Sequence, residues 1–279
     1  MGSAPRAVAA PRRGAAVAPC VVFVTAALAA AGCGGEDSER AEVRSYLTRV
    51  NEVQSARKGV LVRADTVLRG YAEGKPVGAP ALEGVEAEVR GVRAAVAAVS
   101  PPPHARDVHS RLLAIYDLDA SLVGETVRMV QYQDTAPGVL EPLDRASRTL
   151  RRDLGRARTA STQARALDRF GDTLGLVTAR MMSLDAPVLL RPAHRAQIKR
   201  LGSTRKLSTQ LQSAVRKKDS RRVAKLLLRF RASSTSKRAE RALTERGIAA
   251  YTARLQKLTE AQTELGRAQA RLNRTFRTS

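Results

Sequence analysis

The stretch GIAAYTARLQKLTEAQTELGRAQARL, residues 247–272, indicates most clearly how this chain folds. Its larger apolar side chains recur at alternating steps of three and four residues: Ile248, Tyr251, Leu255, Leu258, Leu265 and Leu272, with Gln262 and Gln269 in the two remaining positions. Because an α-helix turns once in about 3.6 residues, this spacing lines all of them along one stripe. The segment is therefore predicted to be a helix that packs its stripe against other helices.

The same spacing appears earlier in the chain, between breaks marked by glycine and proline. It predicts helices at about Ser38–Tyr71, Leu82–Val99, Ala105–Gln133, Leu143–Leu184, 194–216 and 220–232. Asp219-Ser220 is predicted to cap the helix at 220–232, and Asp134-Thr-Ala-Pro-Gly138 is predicted to be a turn. No segment alternates polar and apolar residues for long enough to indicate a strand.

These patterns predict an all-α fold, an elongated antiparallel helical bundle with coiled-coil-like spacing. The 3% aromatic content fits helices better than strands. Residues 43–53 align without gaps to 248–258 in their apolar, Tyr and Arg positions. Heptad helices commonly resemble one another in this way, and the alternative is that the first and last helices are equivalent members of one bundle; either explanation favours one domain. Residues 41–279 are therefore expected to form a single domain.

The amino terminus has the order of a secretory signal. Arg6, Arg12 and Arg13 precede an uncharged run that reaches Gly35, with an apolar centre at 21–31. Small residues and a cysteine follow in Ala29-Ala-Ala-Gly32-Cys33, which resembles the lipobox of bacterial lipoproteins apart from Ala30 standing where Leu is usual.

The resemblance implies that residues 1–32 are removed, that Cys33 is acylated, and that 33–40 form a short tether. It also implies a protein held by lipid on the extracytoplasmic face of the cell membrane. An ordinary cleaved signal and an uncleaved membrane anchor are the two alternatives. The second is disfavoured because a spanning helix needs about 20 strongly apolar residues. Cys20 lies within the apolar run and has no predicted role.

Positive charge is concentrated in the second half of the chain. The 279 residues include 49 Lys and Arg against 26 Asp and Glu. Residues 33–142 carry a net charge of −3, whereas 143–279 carry +23. The stretch 195–231 holds 13 basic residues and one acid, Asp219. A GC-rich genome would enrich arginine along the whole chain, so base composition does not account for the excess in the second half.

Three interpretations of the basic half remain open: a solvated surface without a partner, a surface that contacts anionic phospholipid or wall polymer, and an internal partner for the acidic residues of the chain. Nucleic acid is disfavoured, because Phe230, Tyr251 and Phe276 are too few and too dispersed for base stacking. If a partner surface exists, we expect it at Arg221, Arg222, Lys225 and Arg229, where basic residues are densest. Oligomeric state is not predicted.

No nucleotide-binding, nucleophile-elbow or zinc-protease motif occurs in the sequence. His104 and His109 follow the proline-rich turn and His194 follows Pro192, so the three could share a metal site at one end of the bundle. Two of them, His104 and His194, lie beside helix breaks, where exposed polar residues are more usual than metal ligands. Asp117, Asp119 and Glu125 are expected to form a solvated helix face rather than an acid–base pair. We therefore expect no cofactor, no metal and no catalysis, and predict a binding or scaffolding protein of the cell envelope. The rival hypothesis is an enzyme, or a ligand- or metal-binding bundle, whose site only the fold assembles.

Overall fold

The computed structural model describes residues 35–75, 84–235 and 238–276, and within them every regular element is helical. The α-helices are α1 (Gly35–Ala56), α2 (Lys58–Ala72), α3 (Val85–Ala97), α4 (Arg106–Arg156), α5 (Ala160–Met182), α6 (Arg191–Arg216), α7 (Ser220–Thr235) and α8 (Arg238–Thr275), with a 3-10 turn at Pro103–Ala105. The predicted all-α helical bundle is thus confirmed. None of the described helices has the length and apolar composition needed to span a membrane.

The chain divides into two compact units. Unit 1 consists of the described residues up to Val127 and from Ala250 onward, and unit 2 of the described residues within 128–249. Helices α4 and α8 each cross the boundary, so one part of each helix belongs to unit 1 and the other part to unit 2. Helix α1 begins at Gly35, inside the segment 33–40 that was expected to be a tether. The single domain at 41–279 remains a prediction.

The core of unit 1 is built from the apolar stripes that the sequence shows. One side of α3 is buried throughout, through Val85, Val89, Val92 and Val96. The stripe of α8 is buried at Leu255, Leu258, Leu265 and Leu272. Burying a Val or Leu side chain contributes about 1.5–3 kcal/mol relative to leaving it exposed, so these stripes are the main stabilising contribution to unit 1.

The prediction of one helix at 38–71 is wrong at a single point, since α1 and α2 are separated at Arg57. This residue leaves helical geometry, with φ −119° and ψ 16°, and its Nη1 donates a hydrogen bond of 2.7 Å to the carbonyl oxygen of Gly91 on α3. The guanidinium thus joins α3 to the α1–α2 junction. No proline marks the break, and Gly59, two residues further on, lies inside α2.

Unit 2 is centred on the close packing of α5 against α6. Gly171 and Gly175 lie on the side of α5 that faces α6, opposite Ser208 and Arg205. The Ser208 hydroxyl donates a 3.0 Å hydrogen bond to the carbonyl oxygen of Leu167 across this contact. The buried core around it includes Leu167, Phe170, Leu174, Val177, Met181, Leu201 and Leu211. Small residues therefore bring the two backbones together while larger neighbours fill the core.

The predicted turn at 134–138 is wrong, because α4 continues through it to Arg156. Pro137 leaves one backbone carbonyl without its helical donor. Pro137 and Gly138 are exposed, while Ala136 is buried on the other side. Packing of the buried side therefore outweighs the local cost of proline.

The predicted continuous pattern from Leu143 to Leu184 is also wrong, since the helix ends at Arg156 and α5 begins at Ala160. Thr159 caps α5: its hydroxyl accepts from the Thr162 backbone at 3.2 Å, and its own backbone N–H donates to the Thr162 hydroxyl at 3.3 Å. This reciprocal capping box satisfies two groups at the helix start. It favours a new helix where the apolar pattern alone indicates a continuous one.

We expect Gly247→Ala to destabilise unit 2. A Cβ on Gly247 would lie 2.5 Å from the carbonyl oxygen of Leu189, so backbone must move. Overpacking of this kind costs about 1–3 kcal/mol. Gly202→Ala, in α6 of the same unit, is the matched control, because nothing lies within 4 Å of its Cβ. It should gain about 1 kcal/mol from helix propensity. Equal effects on the urea unfolding midpoint would contradict this packing.

Candidate functional site

Unit 2 is the strongly basic part of the protein. Residues 128–249 contain 28 Lys and Arg against 10 Asp and Glu, a net charge of +18, whereas the remaining residues carry a net of +5. The asymmetry noted in the sequence therefore follows the boundary between the compact units. A surface of one sign raises the local concentration of oppositely charged partners.

A tight corner between α6 and α7 places the densest basic segment. The Lys218 N–H donates to the Val215 carbonyl oxygen at 3.0 Å and the Asp219 N–H to that of Ala214 at 3.1 Å, which is the bonding of a Schellman helix end. Lys218 has φ +57°, a left-handed conformation that favours glycine. Asp219 then accepts from the Arg222 backbone at 3.0 Å, so the predicted cap of the helix at 220–232 is confirmed.

Helix α7 is fixed by its apolar side. Leu226 is buried in the core of unit 2, with Val223 and Leu227 packed against that core. The ring of Phe230 meets Phe170 of α5 edge to face, with centroids 5.8 Å apart and planes at 71°. This contact turns the opposite side of α7 outward.

The outward side of α7 carries the four predicted residues. Arg221, Arg222, Lys225 and Arg229 are all exposed, and we call them the basic face. Among the described residues no carboxylate lies within ion-pair distance of any of the four. Their positions, at 100° per residue, fall within one arc of the helix. The basic face is thus a set of neighbouring cations without internal neutralisation.

An exposed leucine borders the basic face, and the sequence analysis missed it. Leu228 is 69% exposed, although Val223, Leu226, Leu227 and Phe230 turn inward. The sequence does contain a signal for the exposure of Leu228: it lies three residues after Lys225, and residues three apart share a side of a helix. The face therefore combines cations with an apolar side chain, the pairing found on helices that bind membrane surfaces.

The three histidines have separate surroundings. His104 is exposed in unit 1, with Nε2 3.1 Å from Oε2 of Glu39 and its ring against Phe276. His109, also in unit 1, is buried, and its Nδ1 lies 3.0 Å from the hydroxyl of Tyr46.

Unit 2 contains a second buried pair of the same kind, and the expected exposure of its histidine, His194, is wrong. Nδ1 of His194 lies 2.9 Å from the Tyr132 hydroxyl, with the rings edge to face. Beside it, Arg200 and Glu240 form a largely buried ion pair. The negative charge of Glu240 adds to burial in raising the pKa of Tyr132. These contacts tie α4, α6 and α8 together within the unit.

Burial sets the protonation state of both histidine pairs. It lowers the pKa of His109, with a smaller effect from the positive charge of Arg93, and it lowers the pKa of His194. Burial also raises the pKa of Tyr46 to about 12. Near neutral pH each pair is therefore an uncharged tyrosine beside an uncharged imidazole, which suits a structural contact.

The acidic cluster of α4 differs from its prediction. Asp117 is exposed and pairs with Arg93 at 3.1 Å, as a solvated face requires. Asp119 and Glu125, however, are only 1% and 2% exposed, so the solvated face is wrong for them. Helix spacing alone does not reveal this, since both sides of α4 are covered in this region.

No group of three or more His, Cys, Asp or Glu side chains in the described ranges is placed to hold a metal ion. Cys20 and Cys33 lie outside those ranges.

We predict that the protein loses stability between about pH 7 and pH 5. The folded-state pKa values of His109 and His194 lie below the unfolded value of about 6.5, so in this window the unfolded chain binds protons first. The stabilisation is complete above that value and falls with pH until the folded histidines also titrate. His109→Gln/His194→Gln should flatten the dependence of the unfolding free energy on pH. An equally steep dependence in wild type and variant would contradict the assignment.

Comparison with known proteins adds no relationship to this description. No protein-family model, no curated protein and no solved structure matches the chain. A functional assignment therefore depends on the residues themselves, above all on the basic face and the apolar side chain beside it.

Proposed function

We propose that this protein is a lipid-anchored, non-catalytic binding protein of the cell envelope that docks on anionic phospholipid through the basic face of α7. The observation that carries the proposal is the exposure of Arg221, Arg222, Lys225 and Arg229 on one side of a helix, without an ion pair among the described residues and next to exposed Leu228. Wall polymer is the other anionic surface that this chemistry fits.

The energetics of such a contact are sufficient for binding. Each Lys or Arg near an anionic membrane contributes about 1 kcal/mol, which for four residues gives about 4 kcal/mol. Leu228 adds the burial of an apolar side chain at the headgroup boundary. The attraction falls off over about 10 Å at 0.1 M salt, so it should weaken strongly as salt is added.

Acylation of Cys33 would make the attachment stable. Each buried lipid CH₂ contributes about 0.8 kcal/mol, so several acyl chains on Cys33 would hold the protein firmly at the membrane. The lipobox-like Gly32-Cys33 and the basic face are thus two separate attachment signals in one chain. The anchor would hold the protein at the membrane, and the basic face would hold unit 2 against the headgroups.

Cys33→Ala is expected to remove the anchor. The variant should lose metabolic labelling with a radioactive fatty acid and leave the membrane fraction, or accumulate with its leader uncleaved, because the acylated residue is gone. Mass spectrometry of the mature amino terminus provides the direct measurement. Cys20→Ala is the control and should behave as wild type. Wild-type protein found in culture supernatant with an unmodified Cys33 would contradict the anchor.

Replacing the basic face with glutamine should abolish most binding to anionic vesicles. Arg221→Gln/Arg222→Gln/Lys225→Gln/Arg229→Gln removes four charges, so the partition coefficient at low salt should fall on the order of a thousandfold. The assay is co-sedimentation of a chain beginning at Gly34, which lacks the acylated cysteine, with phosphatidylglycerol-containing and pure phosphatidylcholine vesicles.

A variant with equal loss of charge controls for unspecific attraction. Arg148, Arg151, Arg156 and Arg165 are exposed residues of the same unit, and their replacement by glutamine should weaken binding far less. Equal weakening in both variants would mean that net charge alone attracts the membrane. Binding to purified wall polymer but to neither kind of vesicle would replace the membrane with the wall as the partner.

A further inference from the structure

A second feature of unit 2 is a groove between α4 and α5, remote in sequence from the basic face. It has a volume of about 500 Å³, within the range of sites for small ligands. Its apolar lining includes Leu150, Phe170 and Val177, which are buried, and Leu176, which is 65% exposed. The groove thus offers apolar surface, chiefly at Leu176, that the described part of the chain leaves uncovered, and covering such surface is favourable by about 25 cal/mol per Å².

An ion pair closes one end of the groove. Nη2 of Arg169 on α5 lies 2.7 Å from Oδ2 of Asp153 on α4, close to the short connection between the helices. Nε of Arg152 lies 3.6 Å from the other oxygen of the same carboxylate. The negative charge of Asp153 is therefore already neutralised by two arginines, and it does not repel an anion in the groove.

Two further arginines line the groove toward its other end. The connection of three residues makes α4 and α5 antiparallel neighbours, so Arg145 and Arg180 both lie about 12–16 Å along the helices from the ion pair. Arg180 has no ion pair among the described residues. Arg145 is 3.5 Å from Glu141, but both side chains are largely exposed, and such pairs are weak.

We propose that this groove binds a single-chain anionic amphiphile, with the acyl chain along Leu176 and the apolar floor and the carboxylate or phosphate headgroup at Arg145 and Arg180. Arginine suits this role because its planar guanidinium binds both oxyanion types in a bidentate manner. A fatty acid and a lysophospholipid share this chemistry. The inference does not depend on the basic face, because none of the four residues of that face lines the groove.

Isothermal titration calorimetry tests the groove directly, with the full chain carrying Cys33→Ala and with dodecanoate below its micellar concentration as the probe. Saturable binding of one dodecanoate per chain is expected. Arg145→Gln/Arg180→Gln should raise the dissociation constant of dodecanoate at least about tenfold, because each substitution removes a hydrogen bond to the charged headgroup. Arg148→Gln/Arg151→Gln, on exposed positions of α4 outside the groove, should change the dissociation constant less than about twofold.

Thr173→Trp provides a second variant, since Thr173 lines the groove and a bulky ring there should exclude the chain. Dodecyltrimethylammonium, with the same chain and a positive headgroup, should bind at least tenfold more weakly than dodecanoate. A parallel titration with a twelve-carbon lysophosphatidate distinguishes a fatty acid from a lysophospholipid as the ligand. The probe that binds more tightly shows whether the groove prefers a carboxylate or a phosphate headgroup.

Three results would overturn the proposal: no saturable binding of either anionic probe, equal affinity for the cationic probe, or an equal loss in the Arg148→Gln/Arg151→Gln control. The glutamine variant of the basic face should bind dodecanoate as wild type does. Loss of dodecanoate binding in this variant would also contradict the groove as the binding site. Loss of vesicle binding without loss of dodecanoate binding would contradict only the proposed function.

Discussion

The edge-to-face contact between Phe170 and Phe230 decides which way α7 faces. With Leu226 it fixes the apolar side of the helix on the α5–α6 core, so the side opposite must meet solvent. That side carries the basic face and Leu228. Phe170 also forms part of the floor of the groove between α4 and α5. One buried ring thus supports both surfaces to which we assign a partner, and a single aromatic pair is worth about 0.5–1.5 kcal/mol beyond its burial.

Unit 2 accepts an electrostatic cost that unit 1 avoids. Its net charge of +18 repels itself in the absence of a partner. Among the described residues, some of its arginines are neutralised internally, as in the buried pair of Arg200 with Glu240 and the pair of Arg169 with Asp153, whereas those of the basic face have no ion pair. If anions bind at the basic face or in the groove as we propose, they would relieve the remaining repulsion, and binding would then be coupled to the stability of the unit. The excess of positive charge in unit 2 would then make its stability depend on bound anions.

Apolar spacing predicted the helical class, the stripes and the exposed basic residues, because each depends on positions within a single helix. The Asp219 cap was also readable, since capping involves residues only three apart. Helix ends were less predictable: Pro137 is tolerated because it faces solvent, and Arg57 breaks a helix while its guanidinium bonds to another one. Burial of His109, His194, Asp119 and Glu125, like the groove, depends on which helices come together. No local pattern records that choice.

The most direct test of the account is to ask whether α7 itself meets the membrane. Ala232 is exposed one turn beyond Leu228 and lies between Arg221 and Lys225 around the helix, so Ala232→Cys keeps every cation in place. In a chain carrying Cys20→Ser and Cys33→Ser, an environment-sensitive fluorophore on this cysteine should shift to shorter wavelength with anionic vesicles, and the shift should disappear at high salt. The same fluorophore at Ser161→Cys, exposed at the start of α5, should not respond. Equal shifts at both positions, or none at Ala232→Cys, would contradict docking through the basic face.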